Sequence, residues 1–284
     1  MVRPTQPTLT DALNSNVPGI HWPAVVGARD AAVLALLFQM ESTQWLSTET
    51  LHEQQNQQLG ALLDHARRHC RYYRDRLPDN IGRWHEIPLL TRADLQTQAD
   101  AIRASAYPQA HGKTFDIATG GSTAEPVTVR RTALTQLFWQ AATLRDHLWH
   151  RRDLSATMAI IRQFPEPMDS TQPGRWGGVL SSGPAWHLPI STAVEAQLRW
   201  LRGVDPDILL TYPANLDALL THMHYEGAPL ARLREVRTVS GAVPPALREQ
   251  CQQILGVPLT DLYSAQEVGV IALQCPESGL LHVQ

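Results

Sequence analysis

Residues 119–126 form a short polar segment, Thr-Gly-Gly-Ser-Thr-Ala-Glu-Pro, directly after a run of strand type at Thr114–Ala118. Its two consecutive glycines allow the backbone to adopt positive φ and to approach a ligand closely. The serine and threonine that follow them offer hydroxyl and amide donors. This combination suits the phosphates of a nucleotide, although such a segment is also typical of a plain flexible connection.

Three further segments of small and polar residues also follow runs of strand type, at 211–215, 240–245 and 263–267. They read Thr-Tyr-Pro-Ala-Asn, Ser-Gly-Ala-Val-Pro-Pro and Tyr-Ser-Ala-Gln-Glu. Open parallel sheets bind ligands outside the carboxyl ends of their strands. We therefore expect these three loops and residues 119–126 to converge on one edge of a sheet and to form a binding site there.

The strands and helices that would carry these loops alternate from residue 114 onward. Runs of strand type lie at Thr114–Ala118, Val127–Arg131, Met158–Arg162, Asp207–Tyr212, Glu235–Val239 and Leu259–Tyr263. Helical stretches lie at about 132–149, 191–202, 213–225 and 244–255. This alternation predicts right-handed crossovers and a mostly parallel sheet. Two later strands, Val268–Gln274 and Leu280–Val283, have no helix between them and predict the start of a second, antiparallel sheet.

The first part of the chain is predicted to be helical. Helices are expected at 29–47 and 50–77, and the second shows the three- and four-residue spacing of apolar side chains that is typical of an amphipathic helix. Pro78 ends it. We therefore predict an α/β protein with two parts, an N-terminal helical segment at 1–110 and an α/β nucleotide-binding core at 111–284.

Composition and charge argue against several classes of function. The formal net charge of −3 leaves no basic excess to neutralise a phosphate backbone, so nucleic acid is not an expected partner. The longest apolar stretch, Ala31–Phe38, is too short to span a bilayer, and the first residues lack the apolar core of a signal peptide. Three cysteines without disulfide-like spacing fit a reducing compartment. We therefore expect a cytoplasmic protein.

Residues 119–126 resemble the phosphate loop of acyl- and aryl-adenylating enzymes, S/T-S/G-G-S/T-T-G-x-P, with Ala124 in place of the usual glycine. Tyr263–Glu267 is similar to the motif Y-G-x-S/T-E of the same enzymes, with Ser264 for the glycine and Gln266 for the hydroxyl residue. Both motifs occur in the order in which these enzymes carry them.

Two other stretches narrow the resemblance to the phenylacetate–coenzyme A ligase family. Leu62–Arg74 resembles the N-terminal helix of these ligases, and Ile87–Leu95, which reads Ile-Pro-Leu-Leu-Thr-Arg-Ala-Asp-Leu, resembles their segment "lPlltK.dlr". Residues 240–244 lie where the family has its adenine-pocket loop. The likeness covers about residues 50–284 and implies part of the large domain of the adenylate-forming superfamily, with the small C-terminal domain absent.

The resemblance implies ATP-dependent activation of an aromatic or fatty carboxylic acid to an acyl-adenylate, followed by thioester formation with coenzyme A. ATP, Mg²⁺ and coenzyme A are the implied cofactors, and a small-molecule carboxylic acid is the implied partner. The implied nucleotide-binding residues are Thr119, Gly120, Gly121, Ser122, Thr123, Ser240, Gly241, Ala242 and Tyr263. Thr119, Ser122 and Thr123 would hold phosphates, and Tyr263 would stack on adenine.

The implied catalytic residues are Thr123, Gln266 and Glu267. Charge develops on the phosphates during the reaction, so donors and a metal ion held there in advance stabilise the transition state. Glu267 would bind Mg²⁺ through its hard carboxylate oxygens. Gln266 stands where the family has a Thr or Ser against the α-phosphate, and its amide has a different reach.

The family continues beyond these motifs to an aspartate that holds the ribose, and to a small C-terminal domain with a lysine needed for adenylation. This chain ends at Gln284, and Lys113 is its only lysine. We therefore expect a fragment, a truncated gene product, or half of a split enzyme whose partner chain supplies the rest. A non-catalytic remnant that binds a nucleotide or a partner protein is the alternative function.

Cys275 and His282 raise the hypothesis of a second metal. They lie seven residues apart across an expected strand-to-strand turn, and some relatives in the family carry a structural zinc at this place. A closed zinc site needs four ligands, of which this segment offers two. A buried free cysteine and a surface histidine are the alternative interpretation.

Two other motifs imitate binding sites. His111-Gly112-Lys113-Thr114 is similar to the end of a Walker phosphate loop, but Tyr107 occupies the place of its first glycine. His65 and His69 are spaced to share a metal on one helix face, and neither a third ligand nor a general base accompanies them. We therefore interpret the first as chance and the second as a solvated helix face.

Two side-chain groups on predicted helices are also ambiguous. His222, His224 and Glu226 lie near a helix end, where residues two apart do not face each other, so a polar surface is the favoured interpretation. The aromatic residues that follow the phosphate loop fit either core packing or the lining of an acyl pocket. They are Phe138, Trp139 and Trp149.

Overall fold

The computed structural model describes residues 12–78, 85–118, 127–164, 170–178, 180–226 and 230–284. Its contacts divide the chain into two compact units, one made of residues 1–37 with 138–284 and the other of residues 38–137. A compact unit is a group of residues in mutual contact rather than an independently folding domain. The domain boundary near residue 110 therefore stays a prediction.

The helices and strands follow one another along the whole described chain. The helices are α1 (Ala28–Thr43), α2 (Thr48–His69), α3 (Arg92–Thr97), α4 (Ala99–Ile102), α5 (Ala133–Trp149), α6 (Val194–Val204), α7 (Pro213–Glu226) and α8 (Pro245–Leu255). The strands are β1 (Thr114–Ala118), β2 (Thr128–Thr132), β3 (Met158–Arg162), β4 (Gly174–Arg175), β5 (Pro184–Pro189), β6 (Ile208–Thr211), β7 (Glu235–Val239), β8 (Leu259–Ala265), β9 (Gly269–Gln274) and β10 (Leu281–Val283). Among the described residues, no helix combines the length and the apolar character needed to cross a membrane.

The unit at residues 38–137 contains the long helix α2 and the two strands β1 and β2. Helix α2 ends at His69, earlier than the sequence predicts. The chain leaves the helix here because Cys70 has an extended backbone, and the amide of Tyr72 then donates to the carbonyl of Ala101 at 2.9 Å.

Strands β1 and β2 pair with each other in antiparallel orientation, with Thr114 opposite Thr132 and Ala118 opposite Thr128. They form a two-stranded sheet of their own, so the expectation that they join the parallel sheet is wrong. A parallel pair needs a crossover of a dozen or more residues, usually a helix. The segment between Ala118 and Thr128 is too short for one, and an antiparallel return is the result.

The unit made of residues 1–37 and 138–284 is built on an eight-stranded sheet in the order β10-β9-β8-β7-β6-β3-β5-β4. Its five neighbouring strands from β8 to β5 are parallel, which confirms the predicted mostly parallel sheet. Alternate residues face two separate cores. Ile161 and Leu209 pack in a cluster with apolar residues of α6, α7 and α8, whereas Met158 and Ile208 pack on the other side with Trp176.

Strands β9 and β10 are antiparallel, as the sequence predicts, but they continue the large sheet instead of starting a second one. The turn after Ala265 brings β9 back along β8, so that Leu262 pairs with Leu273 and Tyr263 with Ala272. The returning strand covers the row of backbone groups that β8 would otherwise leave unpaired. The expectation of a second sheet at this place is therefore corrected.

Candidate functional site

The carboxyl ends of three parallel strands lie side by side at one edge of the large sheet. Thr211, the last residue of β6, pairs with Thr238 in β7, and Val239, the last residue of β7, pairs with Leu262 in β8. The loops that leave these strands therefore start next to one another, as predicted for three of the four loops. We call these three loops the rim: residues 211–215, 240–245 and 263–267.

Side-chain hydrogen bonds hold the first rim loop in place. The hydroxyl of Thr211 donates to the carbonyl of Ile161 at 3.0 Å, and the side-chain amide of Asn215 donates to Thr211 Oγ1 at 3.0 Å. The backbone amide of Gln163 donates to the hydroxyl of Tyr212 at 3.1 Å. The ends of β3 and β6 are thus tied together beneath the loop, which gives the rim a fixed base.

The second rim loop passes close to the start of helix α7. Ser240 has a φ of 60°, in the left-handed region that non-glycine residues rarely adopt. A Cβ atom on Gly241 would lie 3.2 Å from the ring carbons of Pro213, so only glycine fits without a shift of the neighbouring proline. Ser240, Gly241 and Ala242 are all exposed, so their polar backbone is accessible to a ligand.

The third rim loop carries an aromatic ring and a carboxylate at the turn from β8 to β9. Tyr263 is 54% exposed, which is high for a tyrosine that lies within a strand. The pairing of β8 with β9 shifts register between Tyr263 and Ser264. Gln266 is half-buried and Glu267 is exposed in the turn. The ring and the carboxylate are both available to a ligand at this edge.

Asp261 is a candidate that sequence reasoning missed. It lies two residues before Tyr263 on β8, and the hydroxyl of Thr238 on β7 donates to its Oδ1 at 3.0 Å. Burial raises the pKa of Asp261, and this effect outweighs the opposing hydrogen bond from Thr238. The signal in the sequence was a carboxylate inside the run of strand type Leu259–Tyr263.

The predicted phosphate loop at residues 119–126 lies outside the described residues. Its flanking strands β1 and β2 belong to the unit at 38–137. The phosphate-binding roles of Thr119, Gly120, Gly121, Ser122 and Thr123 therefore stay predictions.

A buried network of four charges lies at the amino-terminal edge of the sheet. Arg152 donates to Glu235 from Nε at 2.8 Å and from Nη2 at 2.7 Å, and to Asp146 Oδ2 from Nη1 at 2.7 Å. Arg237 donates to the same oxygen of Asp146. Two cations thus balance two anions, with each ion hydrogen-bonded to a partner. This arrangement holds the end of helix α5 against β7 rather than offering a group for catalysis.

The network shifts the pKa values of its members. Burial by itself would raise the pKa of Asp146, but the charges of Arg237 and Arg152 and a hydrogen bond from His150 hold it well below its usual range. The pKa of Glu235 is also lowered, because hydrogen bonding and charge from Arg152 outweigh burial. Burial, aided by the two arginine charges, lowers the pKa of His147 well below its usual value. His147 is therefore neutral at pH 7.

The described residues contain no group of three or more His, Cys, Asp or Glu side chains that could hold a metal ion. Cys275 is partly exposed on the turn between β9 and β10, and the ring of His282 packs edge-on against Trp149 at a centroid distance of 5.7 Å. These two side chains do not complete a zinc site by themselves, and zinc at this place stays a prediction. Mg²⁺ does not need a group of three protein ligands, since this ion is held by one or two carboxylates together with substrate phosphates. A single carboxylate such as Glu267 therefore suits it.

The competing motifs have ordinary surroundings. The residues of the Walker-like segment lead into the strand β1, whereas a Walker loop opens a helix. The rings of His65 and His69 are 4.5 Å apart on α2, and His222 Nε2 lies 3.1 Å from Glu195 Oε1. Neither pair belongs to a metal-binding group among the residues that the structure describes.

The aromatic residues of helix α5 differ from one another in their surroundings. Phe138 is 49% exposed. Trp139 lines a cavity of about 190 Å³ together with Leu144 and Trp176. A Cβ atom on Gly269, at the start of β9, would lie 3.8 Å from the Trp139 ring, so the Trp139 wall of this cavity lies beside the start of β9. Trp139 thus forms part of the wall of a cavity.

The structure, a mostly parallel sheet with helical crossovers, matches part of the fold of adenylate-forming enzymes. The solved structures that show it include 2-hydroxyisobutyryl-CoA ligase in complex with 2-HIB-AMP and CoA in the thioesterification state. The TM-score is 0.58 and the identity is 14%, over 82% of this chain and 53% of that chain. The postadenylation state of the same ligase with 2-HIB-AMP gives a TM-score of 0.58 and 15% identity over 79% of this chain and 51% of that chain.

The chain spans about half the length of these solved structures. At such low identity the likeness shows the fold alone. No protein-family model matches the sequence. No curated protein matches it either.

Proposed function

We propose that this chain carries the nucleotide-binding part of a carboxylic acid ligase of the phenylacetate–coenzyme A ligase type. Such a ligase uses ATP to convert the acid to an acyl-adenylate and then transfers the acyl group to coenzyme A. The observation that supports the proposal best is the rim, where Ser240 and Tyr263 directly follow the paired residues Val239 and Leu262 on neighbouring parallel strands.

The adenosine part of ATP would bind between the second and third rim loops. Tyr263 offers an exposed ring face, and aromatic faces stack well on planar bases. The exposed backbone of Ser240, Gly241 and Ala242 offers hydrogen-bonding groups for the edge of the adenine. Gly241 lets this loop pass close to Pro213, where a Cβ atom would lie only 3.2 Å from the proline ring.

The phosphates would bind to Thr119, Gly120, Gly121, Ser122 and Thr123, with Gln266 against the α-phosphate. Glu267 would hold Mg²⁺ together with the phosphates, and its exposed carboxylate leaves room for the water molecules that this ion retains. Bound Mg²⁺ supplies a positive charge that stabilises the developing charge on the phosphates. The donors of this chain orient the α-phosphate towards the attacking carboxylate.

The cavity beside Trp139 supports an acid with a small aromatic or apolar body. Its lining residues include Trp139, Leu144 and Trp176, and its volume of about 190 Å³ limits the size of the ligand. A Cβ atom on Gly269, at the start of the strand that follows Glu267, would lie 3.8 Å from the Trp139 ring, so the Trp139 wall of the cavity lies beside that strand. A carboxylate at this wall would be near the proposed nucleotide site.

Titration calorimetry with ATP and AMP, with and without Mg²⁺, tests the nucleotide site. We expect Tyr263→Ala to weaken AMP binding about tenfold, since loss of one base–aromatic stack costs about 1–3 kcal/mol, and Tyr263→Phe to restore it. The double variant Ser122→Ala with Thr123→Ala should weaken ATP more than AMP. Trp45→Ala, which removes an exposed aromatic ring outside the rim, is the matched control. Equal affinity of the wild type and Tyr263→Ala would contradict the proposal.

The reaction is tested separately, by ATP–pyrophosphate exchange with a panel of aryl and fatty acids. Exchange that depends on the acid and is reduced in Glu267→Gln would support acyl-adenylate formation. Tight nucleotide binding without exchange by any acid would retain the nucleotide site but contradict a complete activation reaction in this chain.

A further inference from the structure

The cavity of about 190 Å³ beside Trp139 has a wall that is formed by one face of helix α5. Trp139, Thr143 and His147 follow one another at four-residue steps, so their side chains lie along one stripe of the helix. The eight residues from Trp139 to His147 correspond to about 12 Å along a helix axis. All of the described lining residues belong to the unit made of residues 1–37 and 138–284. The stripe therefore has an aromatic end and a polar end within one unit.

His147 offers an unused hydrogen-bond donor at the polar end of this stripe. The residue is 3% exposed, and burial lowers its pKa well below the usual value, so the ring is neutral. Its Nδ1 lies 3.4 Å from Nη1 of Arg152. An arginine nitrogen can only donate, so His147 accepts at Nδ1 and carries its proton on Nε2.

The Nε2 atom of His147 is open to a ligand. It makes no hydrogen bond with any residue that the structure describes, and it is not fully buried. Since His147 lines the cavity, its N–H group is accessible from there. A polar N–H group that faces an otherwise closed site is costly unless a ligand supplies an acceptor.

Thr143 supplies a second free group, one helical turn before His147. Its side chain is half-buried, and its hydroxyl makes no hydrogen bond with the described part of the chain. A threonine hydroxyl can both donate and accept. One oxygen atom on a ligand would therefore satisfy both side chains. A hydroxyl group is the smallest substituent that provides such an oxygen, since it accepts from His147 and donates to Thr143.

Trp176 forms another wall of the cavity and presents it with an apolar ring. The ring packs edge-on against His147 at a centroid distance of 4.8 Å. Its Nε1 donates to the carbonyl of Ala156 at 2.8 Å, so the polar atom of the side chain is already used. The backbone amide of Trp176 donates to the hydroxyl of Ser182 at 3.0 Å, which holds this wall in place. Aromatic rings such as those of Trp139 and Trp176 pack well against a flat aromatic ligand.

The volume of the cavity limits the ligand to about one ring. An apolar cavity of about 150 Å³ can hold one benzene molecule, and this cavity has about 190 Å³. One six-membered ring with one small substituent therefore fits. A fused two-ring body or a long alkyl chain does not, which favours an aromatic acid over a fatty acid.

We propose that the acid bound here is a one-ring aromatic acid with a hydroxyl group on the side of the ring away from its carboxylate, and that this hydroxyl lies between Nε2 of His147 and the hydroxyl of Thr143. The inference rests on the proposed function, because that function places the carboxylate at the Trp139 wall. His147 and Thr143 then determine which acid binds and take no part in the transfer of the acyl group.

Titration calorimetry on the whole chain with three acids of similar shape tests the proposal. They are 4-hydroxyphenylacetate, 4-methylphenylacetate, in which a methyl group replaces the hydroxyl, and 2-hydroxyphenylacetate, in which the hydroxyl lies beside the carboxylate arm. We expect the first to bind about tenfold more tightly than the other two, which cannot make the two hydrogen bonds. Equal affinity for the three acids, or no binding of 4-hydroxyphenylacetate at millimolar concentration, would overturn the proposal.

Substitutions on α5 locate the hydroxyl site. Thr143→Val keeps the shape of a half-buried side chain, so it should stay folded, and it should reduce the preference for 4-hydroxyphenylacetate over 4-methylphenylacetate to about threefold. His147→Phe should abolish this preference, and His147→Gln, which keeps an N–H donor, should restore much of it. Thr221→Val, on the exposed surface of α7, is the control. An unchanged preference in both Thr143→Val and His147→Phe would overturn the assignment.

ATP–pyrophosphate exchange with the same acids separates this inference from the proposed function. Exchange that is as fast with 4-methylphenylacetate as with 4-hydroxyphenylacetate would overturn the inference and retain the proposed function. Preferential binding of 4-hydroxyphenylacetate without exchange would support the hydroxyl site and contradict a complete activation reaction in this chain.

Discussion

The guanidinium of Arg152 and the carboxylate of Glu235 are joined by two parallel hydrogen bonds, of 2.8 Å from Nε and 2.7 Å from Nη2. Their side chains are 2% and 12% exposed. Arg152 lies three residues beyond helix α5 and Glu235 begins β7, so the pair fastens the helix end to the sheet. Both ions have lost their hydration, and each therefore depends on the other for stability.

Removing one partner of this pair should destabilise the protein strongly. We expect Glu235→Leu to lower the free energy of unfolding by about 3–5 kcal/mol, because it leaves Arg152 buried with fewer counter-charges. The double variant Arg152→Met with Glu235→Leu should be more stable than Glu235→Leu alone. Urea unfolding monitored by circular dichroism measures all three proteins. A double variant that is as unstable as the single one would contradict the assigned dependence of the two ions.

The same network makes stability depend on pH. The folded-state pKa values of Asp146 and Glu235 lie below their ordinary values of 3.8 and 4.5, so the stability that they contribute is complete above those values and is lost as the pH falls below them. His147 is neutral in the folded protein and takes up a proton on unfolding below its ordinary pKa of 6.5. All three groups therefore predict a decrease in stability on acidification, which starts near pH 6.5 for His147 and near pH 4.5 for the carboxylates.

Unfolding free energies at pH 7, 5.5 and 4 test this direction. His147→Gln should remove the part of the decrease between pH 6.5 and 5 and keep the part at lower pH. Stability that is constant from pH 7 to pH 4 would contradict both the neutral buried His147 and the lowered pKa values of the carboxylates.

The three cysteines should differ in reactivity. Hydrogen bonds from the side chain and backbone of Ser278 lower the pKa of the Cys275 thiol, whereas burial raises the pKa of Cys251 to about 11 and also raises that of Cys70. Since the thiolate is the nucleophile, we expect one fast thiol per native chain with a disulfide reagent at pH 7.5, and three after unfolding. Cys275→Ser should abolish the fast phase, and Ser278→Ala should slow it. A fast phase that survives in Cys275→Ser would contradict the assignment.

The close approach of the loop at Gly241 to Pro213 can be tested with a pair of substitutions. Gly241→Ala places a methyl group 3.2 Å from the proline ring, and we expect a loss of about 1–3 kcal/mol in stability from overpacking. Adding Pro213→Ala removes the ring carbons and should recover part of this loss. Thermal unfolding of the single and double variants measures the recovery. Equal losses in the two proteins would show that the strain lies elsewhere.

The alternation of strands and helices was sufficient to predict β3, β6, β7 and β8 together with α6, α7 and α8. Strand β5 was missed because prolines stand at both of its ends, Pro184 and Pro189. The sequence of a short strand also does not show which other strand it pairs with. For this reason β1 and β2 were placed in the wrong sheet, and β9 was assigned to a new one.

The rim was predictable because small and polar residues are unusual directly after apolar strands. The buried network of four charges was not predictable from the sequence. Asp146 and Arg152 lie near the end of an ordinary helix, where charged residues are normally solvated, and only the packing of that end against β7 buries them. Asp261 was missed for a similar reason, since its burial comes from the neighbouring strands.

The strand order described above also bears on how the sheet assembles. Leu262 pairs with Leu273 close by in the chain, whereas Met158 must find Ile208 across the whole of β4, β5 and α6. Closing a long loop has a larger entropy cost than closing a short one, and contacts distant in sequence form slowly. We therefore expect the segment from β6 to β9 to gain hydrogen-exchange protection early in refolding. The addition of β3 and β5 should be the later, slower event. The rim loops should then form before Thr211 makes its hydrogen bond with the carbonyl of Ile161 on β3.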